Sequence, residues 1–289
     1  MKYLFLSMRP KQWVKNVLLF AGLVFSKNVF QPALLLRSIA GFGIFCALSG
    51  AVYLINDLLD LKQDRVHPLK SKRPLASGKL SPSTAIAAAS ALMIAGLAVG
   101  FVLDAGFGGI ALLYTAMNIG YTLFLKHVVI LDIVVIAIGF VMRAVAGAEL
   151  IHVYISSWLL VCTLFFALFL SLGKRRHELV LLGEGARSHR PILSEYSPYL
   201  LDQMISVVTA STIMAYTLYT TSAETVEKFG TRNLILTTPF VLYGIFRYLY
   251  LIHQKKLGGR PEQILLEDRA LLIDVFAYLV ATGIILYRT

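Results

Sequence analysis

Four polar residues at the end of a long apolar run have types and spacing suited to metal binding. Asn56, Asp60 and Asp64 recur every four residues, and Asp57 lies beside the first of them. On a helix, this spacing predicts one shared face. Crowded oxygen-bearing side chains repel one another unless a cation neutralises them, and Mg²⁺ is usually held by a few carboxylates together with substrate phosphates. The cluster is therefore predicted to hold a magnesium-bound phosphate ester where membrane meets water.

Basic residues follow this acidic cluster directly. Arg73 precedes Pro74 in the loop 65–80, which also contains three lysines. Guanidinium and ammonium groups are suited to the phosphate oxygens that extend beyond a carboxylate-bound metal ion, so Arg73 is predicted to bind phosphate. Membrane topology explains the lysines equally well, because loops on the inner side of a membrane are rich in Lys and Arg.

A second cationic segment lies near the end of a later apolar run. Lys174 and Arg175 begin three successive cations, and Glu178 closes the segment. In a helical bundle, this segment can face the loop 56–79. We therefore predict a second site for a polyanion, formed by Lys174, Arg175 and Glu178. The alternative is that the cations only retain this end of the helix on the inner side.

Ionisable residues also occur within the apolar runs, where they are costly and usually face the interior of a helix bundle. Asp132 follows Lys126 closely, which places both near the inner membrane surface and within reach of a site there. Arg247, near the inner end of its run, is predicted to reach a phosphate. Arg143 and Glu149 lie towards the outer side, and we expect structural pairing for them.

The elements that must position these residues are membrane-spanning helices. The chain is 57% hydrophobic and only 15% charged, whereas soluble domains carry about 25% charged residues. Apolar runs of about 20 residues recur along it, so we predict an all-α integral membrane protein with nine transmembrane helices in a single domain, residues 1–289. The predicted spans are 14–30, 33–55, 83–103, 108–125, 130–150, 156–173, 199–220, 233–252 and 269–287.

The distribution of charge predicts the orientation of these spans. With the N-terminus inside, most of the 27 lysines and arginines fall on the inner side, which places the acidic cluster in the cytoplasm. Topology thereby explains the net charge of +11, and no nucleic-acid partner is expected. A non-enzymatic alternative is a transporter for an anionic solute. Transporters have broken helices near the bilayer midplane, whereas the polar residues here concentrate at one face.

The acidic cluster also resembles a known family signature. The pattern Asn56-Asp57-x-x-Asp60-x-x-x-Asp64, followed by His67-Pro68 and Lys72-Arg73-Pro74, is similar to the first motif of the UbiA-type prenyltransferase superfamily. The resemblance covers essentially the whole chain. It implies an all-helical bundle with a lipid-accessible central cavity, and Mg²⁺-dependent transfer of a prenyl chain from its diphosphate to an aromatic acceptor.

One segment departs from the majority pattern of that superfamily. Most members carry a second aspartate pair, of the type Asp-x-x-x-Asp, where this chain has 174–178. That segment, and the opening 9–16, resemble the branch of decaprenyl-phosphate phosphoribosyltransferases. The branch implies phosphoribosyl diphosphate as donor, a polyprenyl phosphate as acceptor, and a role in cell-wall biosynthesis.

The charge distribution of the two donors agrees with this branch. Phosphoribosyl diphosphate carries phosphate at both ends of its sugar, whereas prenyl diphosphate is charged at one end only. A metal–carboxylate cluster can hold the diphosphate and a cationic cluster the 5-phosphate, while an anionic carboxylate, for which we take Asp132, can stabilise positive charge on the ribose. We predict further substrate contacts from Lys15, Asn16, Lys126 and Arg247.

The sequence thus predicts a Mg²⁺-dependent phosphoribosyltransferase in a bacterial cytoplasmic membrane, with its active site facing the cytoplasm. Asp57, Asp60, Asp64 and Asp132 are its predicted catalytic residues. The alternative is an aromatic prenyltransferase of the same fold that uses a polyprenyl diphosphate donor. A homo-oligomer is compatible with either function.

Overall fold

The structure is a computed structural model that describes residues 1–66, 70–182, 191–255, 264 and 267–287. Within these ranges every regular element is helical, which confirms the all-α prediction. The α-helices are α1 Lys2–Ser7, α2 Ala21–Phe25, α3 Pro32–Leu59, α4 Leu61–Val66, α5 Pro82–Leu103, α6 Ala105–Leu123, α7 Leu131–Leu150, α8 Ser157–Leu182, α9 Pro198–Thr221, α10 Ala223–Phe229, α11 Thr238–His253 and α12 Arg269–Tyr287. Short 3-10 helices cover Pro10–Phe20, Lys70–Lys72, Leu125–His127, Pro191–Glu195 and Asn233–Thr237.

Six helices of the described residues are long and apolar enough to cross a membrane, by length and composition. These six are Pro32–Leu59, Pro82–Leu103, Leu131–Leu150, Ser157–Leu181, Asn233–His253 and Arg269–Tyr287. Two further predicted spans correspond to the long helices α6 and α9. The protein is therefore an integral membrane protein, while the count of nine spans stays a prediction.

The first predicted span, 14–30, is wrong as a single long α-helix. A 3-10 helix occupies Pro10–Phe20, and the five-residue α2 follows it. This segment packs very closely on the end of α7, because a Cβ atom on Gly147 would lie 1.9 Å from the Leu19 carbonyl oxygen. Glycine is therefore required at position 147, and the closeness of this backbone contact is not visible in the hydropathy of the segment.

Contacts divide the chain into two compact units, and the expectation of a single domain stays a prediction. Unit 1 comprises residues 1–126 and 142–154. Its helices α3, α5 and α6 pack on one another around buried aromatic rings, including Phe45, Phe107 and Tyr114. Helix α5 begins at Pro82, one residue before the predicted span 83–103, and the Ser81 hydroxyl caps it by accepting a hydrogen bond from the Thr84 N–H.

Unit 2 comprises residues 127–141 and 155–289. Within it, α8 packs on α9 and α11 packs on α12. Its buried core contains Phe169, Leu172, Tyr248 and Ile252, and the rings of Phe169 and Tyr248 are 5.3 Å apart. Each unit carries one of the two charged clusters predicted from the sequence.

Candidate active site

Two of the predicted metal ligands share one cationic partner in unit 1. Asp57 lies near the end of α3 and Asp64 lies on α4, and both side chains are buried. The Arg73 Nη1 atom is 3.0 Å from Asp57 Oδ1 and 2.6 Å from Asp64 Oδ2. The two carboxylates are therefore held close together around a single guanidinium nitrogen, and the predicted proximity of Arg73 to the acidic cluster is observed.

The other two predicted metal ligands form a separate pair. Asn56 Nδ2 donates to Asp60 Oδ2 at 3.1 Å, and Lys126 Nζ lies 2.8 Å from Asp60 Oδ1. The observed side-chain contacts divide the four residues into the pairs 57/64 and 56/60. The backbone N–H groups of Asp60 and Asp64 donate to the carbonyl oxygens of Asn56 and Asp60, so helical hydrogen bonding continues from α3 into α4.

Arg9 also belongs to this cluster, although it is not among the site residues predicted from the sequence. Its Nη2 donates to Asp57 Oδ1, and its guanidinium carbon lies 4.7 Å from the centre of the Tyr53 ring. The only sequence signal was that Arg9 opens the 9–16 segment similar to the phosphoribosyltransferase branch. Together with Arg73 and Lys126, it places three cations directly on three carboxylates.

The donor chemistry of this cluster fits Mg²⁺, and metal binding by all four predicted ligands stays a prediction. Among the described residues, no group of three or more His, Cys, Asp or Glu side chains is arranged to hold a metal ion. Mg²⁺ commonly binds through one or two carboxylates plus substrate phosphates, and Asp57 with Asp64 supplies such a pair. His67 and Pro68 of the same motif lie outside the described residues.

In unit 2, Arg175 and Asp132 form a buried ion pair. The Arg175 Nη2 atom is 2.6 Å from Asp132 Oδ2, and the two side chains are 4% and 0% exposed. Arg175 Nη1 also donates to Glu178 Oε2 at 2.7 Å. The side chains of Arg175 and Asp132 are both buried. Arg175, predicted to contact substrate, therefore contacts Asp132 and Glu178 in this structure.

Tyr196 completes this buried network. Its hydroxyl donates to Asp132 Oδ1 at 2.7 Å and accepts the Ile130 N–H at 2.7 Å. Burial, and then the hydrogen bond to Asp132, raises the pKa of Tyr196 to about 12. Tyr196 therefore stays protonated at neutral pH and remains a hydrogen-bond donor to the carboxylate.

Lys174 differs from its neighbour in being accessible. Its side chain is 48% exposed, and its ammonium nitrogen lies 4.0 Å from Glu178 Oε1. Arg176, the third cation of the segment, pairs with Asp202 on α9. Of the three cations, Lys174 is thus the one whose side chain is most exposed.

Asn16 is buried in a polar network inside unit 1, contrary to the substrate contact predicted for it. Its Oδ1 accepts from Arg143 Nε at 2.8 Å, and its Nδ2 lies 3.3 Å from Cys46 Sγ. Arg143 also donates to the Tyr114 hydroxyl at 2.5 Å. The structural role expected for Arg143 is therefore observed, and Asn16 shares it. Lys15, the preceding residue, is only partly buried.

Arg247 also has a carboxylate partner within unit 2. Its Nε and Nη2 atoms donate to the two oxygens of Asp268, at 3.2 and 2.8 Å. This hydrogen bonding holds the pKa of Asp268 below its usual value. The bidentate ion pair satisfies the guanidinium locally, and the substrate contact predicted for Arg247 remains a prediction.

Comparison with known families and curated proteins gives consistent results. Residues 17–263 match the UbiA prenyltransferase family. A decaprenyl-phosphate phosphoribosyltransferase of Mycolicibacterium smegmatis is 30% identical, with 97% of this chain and 91% of the relative covered. The enzyme of the same name from Corynebacterium glutamicum is 31% identical, with 94% and 83% covered.

Comparison with solved structures shows the same fold. A UbiA homolog from Archaeoglobus fulgidus bound to DMAPP and Mg²⁺ superimposes with a TM-score of 0.75 at 19% identity, with 99% of both chains covered. The same homolog bound to GPP and Mg²⁺ also gives a TM-score of 0.75, at 20% identity and with 99% of both chains covered.

Proposed function

This chain belongs to the UbiA prenyltransferase family, and we propose that it transfers 5-phosphoribose from phosphoribosyl diphosphate to a polyprenyl phosphate of the decaprenyl type. The observation that carries this proposal is the similarity, over 94% or more of the chain, to relatives named decaprenyl-phosphate phosphoribosyltransferase. The charges of the described residues support it, because each unit presents cations beside acidic residues.

Unit 1 is the proposed site for the diphosphate of the donor. Asp57 and Asp64 are the residues that would hold Mg²⁺, which when bound supplies positive charge that stabilises the departing diphosphate. Arg9 and Arg73, which already contact these carboxylates, can turn to the diphosphate oxygens. Asp60 accepts a hydrogen bond from Asn56 and contacts the ammonium group of Lys126, which can likewise turn to the diphosphate. Metal binding by Asn56 and Asp60 stays a prediction.

The reaction itself needs no general base. The bond between ribose C1 and the diphosphate oxygen breaks, and its electron pair leaves with the diphosphate. An oxygen of the polyprenyl phosphate donates a lone pair to C1, and because this phosphate is already anionic at neutral pH no proton has to be removed. Cations that stabilise the leaving diphosphate therefore supply the main catalytic effect.

For the 5-phosphate of the donor, Lys174 stays the predicted contact, and its 48% exposed side chain is compatible with that role. We assign Arg175 and Asp132 a supporting role, because a carboxylate with no exposed surface is unsuited to contact the ribose. Glu178 accepts from Arg175 at 2.7 Å, which ties the accessible end of α8 to the buried network. Asp132 is thus proposed to position Arg175, in place of the charge-stabilising role predicted from the sequence.

The excess of Lys and Arg in the predicted inner segments supports a location in a bacterial cytoplasmic membrane with the site facing the cytoplasm. Phosphoribosyl diphosphate, a water-soluble polyanion, would then reach the site from the cytoplasm. The polyprenyl tail of the acceptor would remain in the bilayer.

A transfer assay with labelled donor tests the proposed function. Purified protein in detergent is incubated with Mg²⁺, a polyprenyl phosphate and phosphoribosyl diphosphate labelled in the ribose, and label is measured in the lipid extract. We expect a labelled lipid that requires the acceptor and is abolished by a chelator. Transfer only from a prenyl diphosphate to an aromatic acid would overturn the proposal in favour of the alternative.

Replacing Lys174 by alanine is expected to raise the KM for phosphoribosyl diphosphate about tenfold, because one charge-assisted contact to phosphate is lost. The value of kcat should change little, since the contact is equally present before and during bond breaking. Initial-rate kinetics with varied donor measures both constants. Lys228→Ala, on the exposed part of α10, is the matched control, and an unchanged KM in Lys174→Ala would place the 5-phosphate elsewhere.

A further inference from the structure

Arg9 is held in an unusual conformation between α1 and the 3-10 helix that begins at Pro10. Its φ and ψ angles are 55° and 63°, in the left-handed region that costs free energy for residues other than glycine. Its side chain lies over the Tyr53 ring and donates to Asp57. Tyr53 and Asp57 are one turn apart on α3, so both contacts hold the guanidinium against the same face of that helix.

The charges around this guanidinium are balanced. Asp57 Oδ1 accepts from both Arg9 and Arg73, and Arg73 also contacts Asp64. Two buried carboxylates are thereby matched by two guanidinium groups. A divalent cation that binds Asp57 and Asp64 competes with the two guanidinium groups for the negative charge of these carboxylates, and at Asp57 Oδ1 and Asp64 Oδ2 it competes for the same oxygen atoms.

A displaced guanidinium keeps its positive charge and requires another anion. Leaving it beside a newly bound divalent cation, without such an anion, is unfavourable. A diphosphate group supplies the missing negative charge and can accept hydrogen bonds from arginine. Arg9, whose side chain is 28% exposed, can make this change of partner by side-chain rotation.

We propose that Arg9 is a counter-ion that Asp57 exchanges for the metal ion when the donor's diphosphate arrives, so that metal ion and diphosphate bind with positive cooperativity. The inference rests on the proposed function only in taking a donor with a diphosphate. It holds for a ribosyl or a prenyl donor alike. Because such coupling is reciprocal, each ligand tightens the binding of the other by the same factor.

Equilibrium dialysis of the full-length protein in detergent tests this coupling, with Mn²⁺ as the probe for the metal and inorganic diphosphate as the probe for the donor. Free Mn²⁺ is measured by electron paramagnetic resonance, and a parallel solution without protein corrects for the complex of Mn²⁺ with diphosphate. We expect diphosphate to lower the Kd for Mn²⁺ about tenfold or more.

The variant Arg9→Gln tests the assignment to Arg9. Removing the counter-ion should tighten the binding of Mn²⁺ alone by about tenfold and reduce the coupling to diphosphate. Arg65→Gln is the matched control. Arg65 follows Asp64 in the sequence and is exposed, and its replacement also removes one positive charge. This control should bind both probes as the wild type does.

Each result decides the proposal. A wild-type Kd for Mn²⁺ that does not change with diphosphate overturns the cooperativity, even if Arg9→Gln fails to fold. Coupling in Arg9→Gln equal to that of the wild type overturns the role of Arg9. Because the dialysis uses inorganic diphosphate and no acceptor, its result is separate from that of the transfer assay, and either can fail alone.

Discussion

Replacing Asp64 by asparagine is expected to abolish transfer from phosphoribosyl diphosphate while leaving a folded protein. Asparagine has the same shape and can still accept a hydrogen bond from Arg73, and Arg73 keeps its 3.0 Å contact with Asp57. The proposed metal site, however, loses one of its two adjacent carboxylates. We expect a fall in kcat of at least about 100-fold, the scale of losing one electrostatic contact to the leaving group.

The assay with labelled donor measures this loss, and gel filtration with a thermal melt measures folding. Glu227→Gln is the matched control, because it removes one acidic charge from an exposed position on α10. Transfer by Asp64→Asn at the rate of this control would contradict a metal role for Asp64. A lower melting temperature with full activity per folded molecule would make Asp64 a structural residue only.

Replacing Arg175 by alanine is expected to destabilise the protein, in contrast to the same change at Lys174. The variant leaves Asp132, which has no exposed surface, without the guanidinium that lies 2.6 Å from it. Breaking a buried ion pair in this way typically costs about 3–5 kcal/mol. We expect a large loss of folded protein, measured by gel filtration and by the melting temperature in detergent.

A double variant separates this structural role from substrate binding. Arg175→Met combined with Asp132→Asn removes both charges, and should recover much of the stability lost in Arg175→Ala, because the uncompensated buried charge is gone. Arg232→Ala, at an exposed position, controls for the loss of an arginine. A stable Arg175→Ala protein with a raised KM for the donor would instead make Arg175 a direct phosphate ligand.

Contacts made over short distances in the sequence were largely predictable. The apolar runs predicted an all-helical membrane protein, because crossing a bilayer requires about 20 apolar residues in a helix whose backbone groups are satisfied internally. The start of α5 was predictable from Ser81 and Pro82, since capping involves only neighbouring residues. The closeness of Arg73 to the acidic cluster followed from the short loop that joins them.

The partners of individual charges were not predictable in the same way. Arg9 contacts Asp57 across 48 positions, and Arg143 contacts Asn16 across 127. Such pairs depend on which helices pack together, and hydropathy gives no information on that choice. Asn16 was therefore predicted at the substrate site, although it lies in the interior of unit 1.

The amino-acid sequence by itself determined the class of protein, its family resemblance, and the presence of an acidic cluster followed by cations. Only the tertiary structure decided which charged groups face inwards. Lys174 and Arg175 are adjacent, but successive residues on an α-helix point about 100° apart, so one side chain is accessible and the other is buried against Asp132. A run of like charges cannot reveal this difference, because the direction of each side chain depends on where neighbouring helices supply its counter-charges.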